Sequence, residues 1–307
     1  MKLSSRRSRA ARRQIVPWMF AAPAVVLFLA FMLIPIIYAV YLSFRGARLA
    51  GGGGGYARPT QTFIGLTNYI AALTDPVLRA GVGHALIYGV IAVPTTLGLA
   101  LLFALLIDAP SARLQRFSRT AIFLPYAVPG VIASLLWGFL YLPSTSPVSY
   151  IARQLGAGPV DFLDYPVLYF AIANIALWSG VGFNMIIIYT ALQSIPAEIY
   201  EAARIDGANE RTIAWRIKIP LVQPALVLTG LFSVIGTLQL YAEPTTLRPI
   251  ATTISSTWVP LMAIYQAAFM NGNLGGAAAD SVLLAIGTLV ISLGLLRFFQ
   301  RRTFGGF

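Results

Sequence analysis

Six times along its length this chain runs for roughly twenty residues almost without charge: near Val16 to Phe44, Gly81 to Ile107, Thr120 to Leu142, Val167 to Leu192, Leu221 to Tyr241 and Ser281 to Phe299. Wound as an α-helix, about twenty residues match the 30 Å hydrocarbon layer of a bilayer. That layer offers no water to the backbone, so a helix, which satisfies its own polar groups, is the form such runs take. Composition agrees, with 58% hydrophobic and only 10% charged residues, where a soluble domain carries about a quarter charged. The expected fold class is all-α, a polytopic membrane protein with six transmembrane helices. Pro23, Pro35, Pro94, Pro125 and Pro129 fall inside these runs and predict kinks, which membrane helices tolerate when neighbours satisfy the freed carbonyls.

The expected organisation is a basic tail over residues 1–15, a six-helix domain over 16–299 and a short tail over 300–307. Met1 to Arg13 carry six basic residues and no acid. The apolar run that follows is too long for a secretory leader and lacks a convincing cleavage site, so the tail reads as retained. The net charge of +12 would suggest nucleic acid on a soluble domain, but here it reports sidedness. With the N-terminus placed in the cytoplasm, sixteen of the 22 Lys and Arg residues fall on cytoplasmic segments. Both termini and the 194–220 loop are therefore expected inside, in a multi-pass plasma membrane protein. There is no cysteine, hence no disulfide framework or thiolate metal site.

The 194–220 loop is the longest charged segment between two apolar runs. Pro196 suits a first helical turn, and Ile195, Ile199, Ala202 and Ala203 recur on one helical face. Gly207 is the residue that a left-handed helix end needs, Asn209 caps a second short helix carrying Ile213 and Ile217, and Pro220 is expected to stop it. Pieces of about ten residues are not stable alone in water. Something must hold them, whether a membrane surface beneath an amphipathic loop or a partner.

Glu201-Ala202-Ala203, with Gly207 six residues after that Glu and then Ile217-Lys218-Ile219-Pro220, resembles the EAA loop of ABC importer permeases. The fuller Glu201-Ala202-Ala203-Arg204-Ile205-Asp206-Gly207-Ala208 is similar to the branch that imports carbohydrates and glycerol phosphates. Ile219 stands where that family usually has Leu. Ala267-Ala268-Phe269 and Gly275 to Ala279, just before the last run, also resemble the sugar permeases.

The resemblance implies a type I ABC importer permease fold, paired with a second permease and served by an extracytoplasmic solute-binding protein. Two separate ATP-binding subunits would receive the loop. On that reading Glu201, Ala202, Ala203, Asp206, Gly207, Ala208, Ile217 and Pro220 couple the chain to the ATPases, and the membrane is bacterial or archaeal. No bond is made or broken in this chain, so it is not expected to be an enzyme.

Residue types exclude much else. The lysines are Lys2 and Lys218 alone and no GxxxxGK[ST] occurs, so ATP and Mg²⁺ would belong to partner subunits and this chain is expected to hold no cofactor. Gly51 to Gly55 lack the Lys and Ser/Thr of a phosphate cradle and read as a linker. His84, the sole histidine, has no Cys or carboxylate cluster beside it, which supports neither a metal site nor a nucleophile pair. It reads as a polar group at a helix start. Paired carboxylates for glycoside hydrolysis would have to come from Asp161, Asp164, Glu243 or Asp280 in the outer loops, where ordinary surface charge is the simpler account. The runs are also nearly free of the ionisable groups that proton- or sodium-coupled carriers use, which sets a secondary carrier or channel behind an ATP-driven importer.

A solute path needs polar groups inside the bundle. The fourth and fifth runs supply Asn174, Trp178, Gly180, Phe183 and Asn184, then Ser233, Thr237, Gln239, Tyr241 and Glu243. Aromatic rings can stack on sugar faces and the amides and hydroxyls can pair with sugar hydroxyls. Helix packing uses the same residue types, and the sequence leaves both readings open. No Arg or Lys lies deep in the runs to meet a phosphate, which favours a neutral oligosaccharide over a glycerol phosphate.

Overall fold

The structure is a computed structural model that describes residues 19–49 and 59–303. The expected basic tail and the Gly51 to Gly55 linker lie outside the described residues, as does the end of the C-terminal tail. Among the described residues, four helices are long and apolar enough to cross a bilayer, and two more spans follow if each of two sharply bent pairs counts as one.

The described parts fall into two units. One holds α1 (Met19–Ser43), an antiparallel hairpin of β1 (Arg45–Leu49) and β2 (Pro59–Phe63), and most of α2 (Thr67–Thr74), with residues 267–283. A π turn at Leu29–Leu33 precedes Pro35 within α1 and absorbs its missing donor. No apolar side chain of α1 is buried. Its end is pinned by polar groups: Asn68 Nδ2 donates to the carbonyls of Ser43 and Arg45 at 2.8 and 2.9 Å, and Ser43 Oγ meets the Tyr69 hydroxyl at 2.5 Å.

The other unit holds the bundle. Its long helix α3 (Pro76–Asp108) starts where Asp75 Oδ1 accepts from Val77 N at 2.8 Å with Pro76 in the first turn, and ends as Ala109 turns extended ahead of Pro110. The third run breaks: α4 (Gln115–Phe123) and a 3₁₀ turn at Leu124–Ala127 meet α5 (Gly130–Tyr141) at 96°, with Pro125 and Pro129 at the break. Next come α6 (Pro147–Gln154) and α7 (Val167–Gln193). The loop folds as α8 (Ala197–Ile205) and α9 (Glu210–Leu221), and α9 meets α10 (Gln223–Leu238) at 64°. Short helices α11 (Ala242–Leu247) and α12 (Pro260–Tyr265) follow, and of the last helix, α13 (Leu274–Thr303), the part from Leu284 onward belongs to this unit and the earlier turns to the first.

Helix α7 is the axis of the core. Leu168, Ile172, Ile175, Met185, Ile188 and Leu192 are fully buried on it. Opposite them α3 buries Ala85, Ala92, Ala100 and Ala104, a stripe at multiples of about one or two turns that lets the two backbones approach. Gly182 brings α7 equally near the end of α4, since a Cβ there would lie 2.2 Å from the Ile122 carbonyl oxygen.

Two boundaries differ from the sequence reading. Pro220 does not stop its helix: a π turn at Ala214–Lys218 changes the hydrogen-bond register, Pro220 enters the next segment near its start, and the break falls at Val222 before Pro224. The last helix begins at Leu274 rather than near Ser281, because Asn273 Oδ1 accepts from Gly276 N at 3.0 Å and starts it there. Gly275 to Ala279 thus form its first turns.

Candidate solute cavity and coupling loop

Helices α3, α7 and α10, with the break between α4 and α5 and the segment running into α11, surround a cavity of about 610 Å³. Helix α7 contributes Ala176, Ser179, Gly180, Phe183 and Asn184, spaced to share one face. Helix α10 contributes Phe232, Ser233, Gly236 and Thr237, and the chain after it adds Gln239, Tyr241 and Glu243. Eight of the ten residues expected to line a solute path therefore meet in one space.

The other two stand apart. Asn174 Nδ2 donates to the Tyr141 hydroxyl at 3.0 Å, which in turn donates to the Ala171 carbonyl at 2.9 Å. Trp178 packs edge-on against Trp137, centroids 6.2 Å apart. Helical geometry accounts for this: neither follows the spacing of 176, 179, 180 and 183, so both point off the cavity face. The same spacing identifies Ala176 and Ser179, which residue type alone passed over.

Three lining aromatics escaped the sequence reading. Tyr88 and Phe232 lie on α3 and α10. Tyr126 sits in the 3₁₀ turn at the proline break and stacks on Phe183, centroids 4.8 Å apart. Two polar atoms of the wall, Ser179 Oγ and Asn184 Oδ1, are buried with no hydrogen-bond partner among the described residues. Asn184 Nδ2 donates to the Gly180 carbonyl at 2.9 Å and Thr237 Oγ1 to the Ser233 carbonyl at 2.9 Å. Among the described residues, Glu243 is the only Asp, Glu, Lys, Arg or His in the lining.

His84 lies in the early turns of α3, where its ring nitrogen shares a 2.6 Å hydrogen bond with the Tyr169 hydroxyl and its ring packs on Trp258. Asp161 and Asp164 bond to backbone amides just after them, from Leu163 and Tyr165, as turn residues do.

The loop closes α8 with a left-handed Gly207, φ +83°, and the amides of Gly207 and Ala208 donate back to the carbonyls of Arg204 and Ala203 at 3.0 and 2.9 Å. This is a Schellman end. Asn209 Oδ1 then accepts from Thr212 N at 2.8 Å and starts α9, and Arg204 pairs with Glu210 across the turn at 3.0 Å. Glu201, Ala202, Asp206 and Pro220 are exposed, whereas Ala203, Ala208 and Ile217 are half-buried. No residue of α8 is fully buried. Ile205 and Trp215 stand 86% and 66% exposed, so part of the loop's apolar surface is left uncovered by the described residues. Burial, with the nearby Asp108 carboxylate, raises the Tyr200 phenol above its ordinary pKa.

Apolar helices around a polar, aromatic-lined cavity, joined by a capped helical loop, are the layout of a solute permease. The chain belongs to the family described as the binding-protein-dependent transport system inner membrane component, whose model matches residues 96–305; it is a permease component of an ABC importer.

It is 34% identical over 230 residues to the osmoprotective compounds uptake permease protein GgtC of Synechocystis sp., covering 73% of this chain and 78% of that one. It is 29% identical to the sn-glycerol-3-phosphate transport system permease protein UgpA of Agrobacterium fabrum, covering 95% and 97%. A crystal structure of a bacterial ABC transporter that imports the acidic polysaccharide alginate contains a chain with the same fold, with a TM-score of 0.80 and 21% identity over 96% of this chain and 99% of that one.

Proposed function

We propose that this permease moves a neutral sugar or oligosaccharide into the cytoplasm through the cavity between α3, α7 and α10. Its work would be alternating access, driven by two separate ATPase subunits that bind ATP and Mg²⁺, alongside a second permease and an extracytoplasmic binding protein. The chain itself makes and breaks no bond. Both termini lie in the cytoplasm, as the distribution of Lys and Arg indicates.

The observation that carries the reading is the cavity wall. Tyr126, Phe183 and Tyr241 offer rings, Ser179, Asn184, Ser233, Thr237 and Gln239 offer hydrogen bonds, and the described wall has one acid, Glu243, and no Lys, Arg or His. Such a wall suits a polyhydroxylated solute without net charge and opposes an anion. The glycerol phosphate transported by the UgpA relative is the alternative, and it would need a cation from the second permease.

Coupling is assigned to Glu201, Ala202, Ala203, Asp206, Gly207, Ala208, Ile217 and Pro220. The exposed Ile205 and Trp215 beside them supply the apolar surface that a cleft on an ATPase would cover. The test is uptake by proteoliposomes holding the assembled transporter, with ATP inside and binding protein outside. Labelled lactose or maltose should accumulate only with ATP, and sn-glycerol-3-phosphate should not compete. Accumulation driven by an ion gradient in liposomes that hold this chain alone would instead make it a secondary carrier.

A further inference from the structure

One cluster of polar side chains serves neither the cavity nor the exposed surface of the loop. Asp108 is the last residue of α3, Gln193 the last of α7, Tyr200 lies on α8 and Lys218 ends the π turn of α9. Lys218 Nζ lies 2.5 Å from Asp108 Oδ2, with the two side chains only 7% and 8% exposed. Gln193 Nε2 donates to the other carboxylate oxygen at 2.6 Å, and the Lys218 ammonium lies 5.1 Å from the centre of the Tyr200 ring.

A carboxylate at a helix C-terminus opposes the helix dipole, and an ammonium there is favoured. Lys218 therefore answers Asp108 and the ends of two helices together. A buried pair is tolerated only with good geometry and engaged lone pairs, and both oxygens of Asp108 are engaged. The joint has few ways to slip.

Above it α3 and α7 are locked side by side by Ala100, Ala104 and Ile107 against Met185, Ile188 and Leu192, and Val222 of the break after α9 joins the same buried cluster. Farther along, the same two helices carry Tyr88 and Thr96, and Ser179 and Phe183, of the cavity wall. A continuous series of packed contacts thus runs from the loop to the cavity, the kind of physical connection through which two sites can be coupled.

We infer that the Asp108–Lys218 pair, steadied by Gln193 and Tyr200, is the joint through which movement of α8 and α9 is delivered to α3 and α7. The inference rests on the coupling role proposed for the loop. Asp108 and Lys218 are positioning residues: they touch neither solute nor nucleotide, and they fix how the loop turns relative to the cavity wall.

The test uses the assembled transporter in proteoliposomes. The chain has no cysteine, so a Ser179→Cys reporter in the cavity wall can be followed on this chain with a membrane-impermeant maleimide, before and after trapping with ATP and vanadate. With the pair intact, trapping should change the labelling rate. In Asp108→Asn and in Lys218→Met that change should shrink about fivefold or more, the lower range of measured couplings between sites, while ATP hydrolysis continues. Exchanging the charges, Asp108→Lys with Lys218→Asp, should restore it. An undiminished response in both single variants would overturn the inference.

Should a single variant fail to assemble, the apolar pair Asp108→Leu with Lys218→Met decides. A normal response there makes the ion pair mere packing and overturns the inference, whereas an assembled but unresponsive transporter supports it. No trapping response with the native pair would remove the coupling reading beneath it instead.

Discussion

The ring of Tyr126 lies nearly flat on that of Phe183, planes 14° apart, and so ties the turn at the α4–α5 break to the cavity face of α7. Stacked pairs contribute about 0.5–1.5 kcal/mol beyond the area they bury. Here the pair also fixes an apolar platform on the wall that carries Ser179 and Asn184. Tyr126→Ala and Phe183→Ala should each lower solute uptake about tenfold, and the double variant should lose little more, because residues in contact are not additive. Independent losses that multiply in the double variant would show that the rings act separately.

Gly207 is held at φ +83° with nothing within 4 Å of where a Cβ would stand, so backbone strain, not space, restricts this position. A left-handed conformation costs an L-residue about 1–2 kcal/mol, least for Asn and most for β-branched side chains. Gly207→Val should abolish uptake while the chain still reaches the membrane, and Gly207→Asn should retain much of it. Uptake normalised to the amount of chain in the membrane fraction distinguishes the two. Equal activity in both variants would mean that the angle between α8 and α9 is not what the turn supplies.

The loop was legible where its signals are local: Gly207 and Asn209 act on neighbours a few residues away, whereas Pro220 did not stop its helix because the π turn before it shifts the hydrogen-bond register. The apolar runs were legible for a similar reason, since length against a bilayer needs no tertiary knowledge. The cavity was half legible. Residue type pointed to Ser233, Thr237 and Asn184, but it took in Asn174 and Trp178, which helical spacing turns toward Tyr141 and Trp137. Tyr126 was hidden because Pro125 and Pro129 announce a break without giving its 96° angle. The Asp108–Lys218 pair was beyond reach, as its partners lie 110 residues apart and come together through the packing of α3, α7 and the break after α9.

Glu243 is the one acidic side chain among the described residues of the cavity wall, and burial raises its pKa. A carboxylate in a low-dielectric surround repels an anion far more strongly than it would in water. Glu243→Gln should therefore admit sn-glycerol-3-phosphate as a competitor of neutral sugar uptake where the native chain excludes it, shifting the inhibition constant downward by about tenfold, or 1.4 kcal/mol. Competition curves at fixed binding-protein concentration check this. An unchanged preference would place the discrimination in the binding protein or in the second permease.

The approach of α7 to the end of α4 sets the position of Phe183, and Gly182 sets the approach. A Cβ there would come within 2.2 Å of the Ile122 carbonyl oxygen and 2.7 Å of the Phe123 Cα. Both are backbone atoms, so no rotamer change relieves the clash and the two segments must part. Overpacking of this kind costs about 1–3 kcal/mol. Gly182→Ala should lower the thermal unfolding midpoint of the purified chain in detergent, and it should weaken uptake through the displaced Tyr126–Phe183 contact. Gly98→Ala on α3, where nothing lies within 4 Å, replaces a poor helix former by the best one and should leave the midpoint level or slightly raised. If the two variants unfolded alike, the closeness of α7 to Ile122 would not be a constraint on the fold, and the placement of Phe183 would need another cause.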